Sequence, residues 1–167
     1  MCEPLAGAAG TVEAVRASAA RHGRKTGFSI SFRPVIGATE AEAREKAAHI
    51  YQTAKKQLTE SGHHFGLPKP QSTGAKRLMD AAKQGEWLDK CLWTGIAGLV
   101  SGGYNSTALV GTADQVSDAL LEYYRLGIDN MLIRGFDPLN DATEYGKQLI
   151  PLTREKAAAE PVLSESV

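Results

Sequence analysis

Cysteine is almost absent from this chain. Its 167 residues include only Cys2 and Cys91, with no CxxC pair and no metal-ligand spacing. That excludes a disulfide framework and a cysteine-built zinc site as expectations. Both are read as free thiols, since a Cys91 nucleophile would need a base that the sequence does not place. An excess of either charge is missing too: 19 Lys and Arg balance 19 Asp and Glu. A neutral chain carries no broad electrostatic footprint for nucleic acid or an anionic membrane. No apolar run approaches the roughly 20 residues that span a bilayer. The opening MCEPLAGAAG lacks the basic start and apolar stretch of a secretory signal, so a cytoplasmic address is expected. The glycines of GTADQV and SGGYNS make neither GxGxxG nor GxxxxGK[ST], so the usual nucleotide fingerprints are absent.

What is present suits one packed domain: 43% hydrophobic and 23% charged residues. Val12 to His22 reads as a helix, with Gly23 as its stop. The stretch TGFSISFRPVIGAT, Thr26 to Thr39, alternates in steps of two. Phe28, Ile30 and Phe32 share one face of a strand, and Ser29, Ser31 and Arg33 share the other. Thr39 and Glu42 fit a capping box opening a helix that runs to about Leu58. Irregular chain follows in SGHHFGLPKPQSTG, then a short helix in AKRLMDAAKQGEW, then apolar runs broken by glycines. Residues 61–104 are long for a connection and are expected to form a lid-like insertion. Thr107 to Val110 reads as a strand. Thr112 and Gln115 form a second capping box on a helix from Ala113 to Leu126, closed by Gly127. Asn130 to Ile133 is the last strand, and a final helix begins near Asp141. The polar tail from Arg154 is expected to fray.

Strands alternating with helices argue for parallel βαβ units with right-handed crossovers. Three such strands cannot close a barrel, yet a parallel sheet must be covered on both faces or closed. An eight-stranded (β/α) barrel accounts for the polar face of the first strand. Ser29, Ser31 and Arg33 would point inward, with Arg33 nearest the C-terminal mouth, where chemistry is built.

Five words in register carry a resemblance: CEPLAGAAGTVEAVRASAARHGR, ATEAEAREKAAHI, LWTGIAGLVSGG, TALVGTADQV and YYRLGIDNMLIRGFDPLNDATEYGKQLIPL. With them the chain resembles the C-terminal part of bacterial luciferase-like flavin-dependent monooxygenases, nearest the alkanesulfonate monooxygenase branch. The resemblance implies an α/β fold: about three βα units of a TIM-type barrel over residues 1–154, with a flexible tail at 155–167. It implies reduced FMN supplied by a separate flavin reductase, O2, a small organosulfur substrate and a possible homo-oligomer. Family members usually open this region with Trp-Gly-Glu-Pro just after a barrel strand, where this chain reads Met1-Cys2-Glu3-Pro4. A start inside the barrel implies that the first five strands are missing and that the isolated chain turns over little. The rivals are a relative using deazaflavin or acting on sulfones, and a non-catalytic half-barrel that binds or dimerises.

By strand register, Ser31 and Arg33 stand where sulfonate-oxidising relatives are expected to carry Arg and His. Ser31 is the expected cofactor contact. Arg33 is the expected catalytic residue, a planar cation suited to an oxyanion and unable to serve as a base at neutral pH. Lys76 and Arg77 in the lid-like segment are expected to meet an anionic substrate, as are Arg134 and Phe136 in RGFDP. Ser101 and Phe136 replace an arginine and a tyrosine of the branch, which weakens the sulfonate assignment. Competing structural readings accompany each: a bonded strand arginine for Arg33, a rim ion pair for Arg134, and solvated surface charges for Lys76 and Arg77. His63 and His64 are read as a polar loop, because no third ligand stands at metal spacing. Trp87 and Trp93 are read as apolar packing, and Tyr123 and Tyr124 as core or dimer contacts.

Overall fold

The computed structural model describes residues 3–61, 72–103 and 106–160. Among these residues it is an alternating β/α fold built on an open arrangement of six strands. Helix α1 (Leu5–Ala20) starts well before Val12. Gly7 and Gly10 weaken the local helix signal, but Ala8 and Val12 are buried on one face and hold the segment helical. The Leu5 N–H donates to the Asp89 carboxylate at 2.8 Å, which satisfies one of the orphan donors of the first turn. Gly23 takes the left-handed conformation (φ 63°) expected after the helix.

The alternating stretch forms two short strands, β1 (Ser29–Phe32) and β2 (Pro34–Ile36), separated at Arg33. The break is a change of partner. Strand β1 pairs in parallel with β6 (Asn130–Ile133), and β2 pairs in parallel with β5 (Ala108–Gly111). The Arg33 carbonyl accepts from Leu109 N–H, while the Phe32 carbonyl accepts from Arg134 N–H. Pro34 has no N–H for a ladder and marks the switch. The first strand of the chain therefore lies between the last two. Consecutive barrel order would instead place β5 between its neighbours in sequence.

Helix α2 (Glu40–Glu60) starts at Thr39, whose hydroxyl accepts from Glu42 N–H. The Glu42 carboxylate reaches Ala38 N–H at 3.0 Å, one residue further back than a capping box requires. Gly37 lets the strand turn into this helix. A Cβ there would sit 2.5 Å from Ala43 N. The segment expected as a lid-like insertion contributes α3 (Thr73–Gln84), β3 (Trp87–Leu88), β4 (Leu92–Trp93) and α4 (Gly95–Leu99). Strands β3 and β4 pair antiparallel, and β4 pairs antiparallel with β5, so part of the segment extends the sheet. Two-residue strands between glycines carry too little periodicity to be legible. Gly102 (φ 70°) lies so close to Ala75 O of α3 that a Cβ would stand 2.3 Å from it.

Helix α5 (Ala113–Arg125) carries the expected capping box, with Thr112 and Gln115 each bonded to the other's backbone N–H. After β6, α6 (Pro138–Glu144), a π turn (Tyr145–Leu149) and α7 (Ile150–Ala159) run without a break. The wide turn has a cause in Pro151, which lacks an N–H and whose ring would crowd the carbonyl of Lys147 in a regular helix. The helix begins earlier than Asp141, because Asp137 caps it and Pro138 fits its first turn. It also runs past Arg154 instead of fraying there. Lys156 bonds Asp114 and Asp118 of α5, and Arg125 bonds Glu160. Residues 161–167 lie outside the described residues.

Two cores result. The first joins Ile30, Phe32, Leu92 and Leu109 to α1, α5 and the π turn. Phe32 meets Tyr123 edge-on, with ring centroids 4.9 Å apart. The second joins Val35, Trp93, Ala108 and Val110 to α2 and α4. Strands β2, β5 and β4 thus have helices on both faces. Among the described residues, strands β1 and β6 have them on one face only.

Candidate functional site at the rim of the open sheet

The uncovered face of β1 and β6 is set by their parallel register. Ser29 stands beside Asn130, and Ser31 beside Leu132. Ser29 and Asn130 are exposed, Ser31 is half-buried, and Leu132 keeps 55% of its surface in solvent. The opposite face carries Ile30 and Phe32 into the first core, with Met131 and Ile133 packed against it. The sequence alternation therefore divides the faces as expected.

At the C-terminal end of this face the chain gathers Arg33, Arg134 and Phe136. Arg33 is half-buried and donates through Nη1 to the Gly135 carbonyl at 2.9 Å. Its guanidinium lies over the Phe136 ring, 5.1 Å from the centroid. Burial, and then the positive charge of Arg134, lower the Arg33 pKa from its ordinary value, while Tyr145 opposes the shift. An arginine starts so high that it remains a cation. The arrangement holds a fixed cation beside a second, exposed one at the end of a polar strip. It can bind an anion. It cannot abstract a proton.

The other two expected substrate contacts stand elsewhere. Arg77 on α3 is tied to Thr11 at 2.9 Å and to Glu3 at 3.3 Å, both at the α1 end of the chain. Lys76 is exposed on the same helix. Ser101 lies in the turn after α4, with φ at 50°. His63 and His64 fall outside the described residues. Cys91 is buried, and its thiol is pushed up to about 12, chiefly by that burial. Such a thiol is a poor nucleophile. Trp93 is buried, stacks near Trp87 at 6.2 Å and donates its ring N–H to Glu86. Tyr123 is buried in the first core, as its helix position suggested.

A cleft of about 1000 Å³ opens on the far side of Phe136, between β2, α2 and α6. Among the rim residues expected from sequence, Phe136 alone lines it. Glu42, Glu45, Asp137, Asp141 and Glu144 dominate its charge against Lys46. Like charge disfavours an anionic ligand there. Two residues of this region were not legible in the sequence. Tyr145 is buried, and its hydroxyl donates to the Pro34 carbonyl at 2.6 Å. Lys46 donates to the Ile36 carbonyl at 2.7 Å. Both contacts join segments far apart in the chain or separated by a turn, and no local motif announces them.

The family profile described as luciferase-like monooxygenase matches residues 1–130. The chain belongs to the luciferase-like monooxygenase family. A curated relative in Agrobacterium fabrum, sulfoquinovose monooxygenase, is 32% identical over 146 residues, covering 84% of this chain and 36% of the relative. This family member thus spans about a third of that relative's length. Among solved structures, EDTA monooxygenase from Chelativorans matches all of the chain and 43% of its own, with a TM-score of 0.61 at 23% identity. A riboflavin lyase crystallised with modified FMN and riboflavin matches 95% of the chain and 38% of its own, with a TM-score of 0.64 at 20% identity. These two likenesses concern the fold.

Proposed function

We propose that this chain is the C-terminal barrel portion of an FMN-dependent monooxygenase that oxidises a small organosulfur compound, with a flavin reductase supplying reduced FMN. The observation that carries the reading is the rim: Arg33 held by Gly135 and Phe136, next to Arg134, at the end of the open strip of Ser29, Ser31 and Asn130. Family membership supports flavin use, and the relative named for sulfoquinovose supports an organosulfur substrate.

The donor set fits an anionic group. Two guanidiniums would hold a phosphate or sulfonate oxygen, and Ser31 would add a hydroxyl on the same face. Bound reduced flavin would supply electrons for activating O2. Arg33 would orient the anion, and Phe136 would limit its swing by covering one guanidinium face. Further strands packed over Leu132 would exclude water from the strip. Arg77 would join only by leaving its bonds to Glu3 and Thr11. On this reading the chain alone turns over little, because one wall of the site is open.

The test is a titration of FMN into the chain and into the full-length enzyme rebuilt with the upstream strands of a relative. Arg33→Met should weaken FMN or sulfonate binding to the rebuilt enzyme by about tenfold or more, since a charge-assisted bond is worth roughly 1.5–3 kcal/mol. Unchanged binding would remove Arg33 from the site. A second reading has its own support in the two buried cores, which suit a self-standing, non-catalytic module. That module would melt cooperatively and ignore flavin in both forms.

A further inference from the structure

Where β6 ends, side chains take over its place along the neighbouring strand. Asn130 and Arg134 N–H groups donate to the carbonyls of Phe28 and Phe32 at 3.2 and 3.0 Å. This row of alternate carbonyls continues past Arg33 into β2. There the Pro34 carbonyl accepts the Tyr145 hydroxyl at 2.6 Å, and the Ile36 carbonyl accepts the Lys46 ammonium at 2.7 Å. Pro34 has no N–H to offer. The opposite edge of β2 is already paired with β5. The edge of β2 facing the acidic cleft is thus occupied by donors that come from helical segments instead of a strand.

An unpaired strand edge is a template on which another chain can add a strand. We infer that Tyr145 and Lys46 plug this edge and keep a strand of a second copy of the chain from pairing with β2. Each plug is held by its own element. The π turn starts at Tyr145, whose ring is buried in the first core. Lys46 leans from α2 between Glu42 and Glu144, at 3.2 and 3.9 Å. The charge of the cleft adds a second barrier. A two-fold pairing of β2 edges would bring Glu42, Glu45, Asp137, Asp141 and Glu144 of both copies together.

The test is sedimentation velocity of the whole chain over a concentration series, with circular dichroism melts to show that each variant folds. Tyr145→Phe combined with Lys46→Met keeps the ring and the stem but removes both donors. Self-association of this double variant should exceed the wild-type level by about tenfold, the factor that corresponds to roughly one hydrogen bond's worth of protection. It should strengthen with added salt, which screens the carboxylate repulsion. Lys46→Arg retains a donor and should match wild type. Tyr123→Phe removes a hydroxyl bond to the Glu3 carbonyl, away from β2, and should also match wild type. A folded double variant with the wild-type mass at every salt concentration would overturn the inference. So would equal association by Tyr123→Phe. If the double variant does not fold, Lys46→Met against Lys46→Arg decides, and equal masses for that pair overturn it.

Discussion

The two halves of the sheet solve the same problem differently. Strands β2, β5 and β4 bury both faces, one against α1 and α5 and the other against α2 and α4. Strands β1 and β6 bury one face and leave the other with Ser29, Ser31, Asn130 and the exposed Leu132. Parallel strands are ordinarily covered on both sides. The covered half is therefore the more firmly enclosed part of the fold, and the half-covered part is where the proposed further strands would pack. Arg33 lies at the junction, its backbone in the switch from one half to the other and its side chain at the rim.

The same substitution placed in each half gives the largest contrast. Leu109→Ala in β5 removes a buried side chain touching the first core. It should cost about 2–5 kcal/mol in urea or guanidinium unfolding, as large-to-small core changes do. An effect of comparable size comes from pH. Burial raises the Cys91 thiol in the folded chain from its ordinary value near 9 to about 12. The folded state then holds a proton that the unfolded state loses, so the Cys91 contribution to stability should be constant below pH 9 and be lost between pH 9 and 12. Cys91→Ala should make that part of the pH profile shallower, leaving the fall above pH 10 that the buried Tyr145 hydroxyl, also raised by burial, contributes. The smallest effect is Leu132→Ala on the open face, which should stay within about 0.5 kcal/mol of wild type. A large loss there would mean that the open face is already covered, and would break the contrast.

Much of the fold was legible because its signals are local. The alternation of Phe28 to Arg33 sorted the faces, Thr112 and Gln115 announced α5, and Gly23 closed α1. The rim trio was half legible: Arg33, Arg134 and Phe136 each follow a strand end. Their convergence depends on β6 pairing with β1, which no local pattern states. The start of α1, the strands β3 and β4 and the attachment of α7 were hidden for the same reason. Long-range packing and ion pairs made them, over weak propensity. Arg77 shows the converse. Its sequence suggested a lid cation, and the fold gives it Glu3 and Thr11 as partners.

The most direct test of the two-halves account is amide hydrogen exchange resolved by residue, comparing β5 with β6 in one sample. Exchange reports local opening, and strands covered on both faces open least. The amides of Ala108 to Gly111 should exchange about a hundredfold or more slowly than those of Asn130 to Ile133. Equal protection of the two strands would contradict the account, because it would mean that β6 is as firmly enclosed as β5.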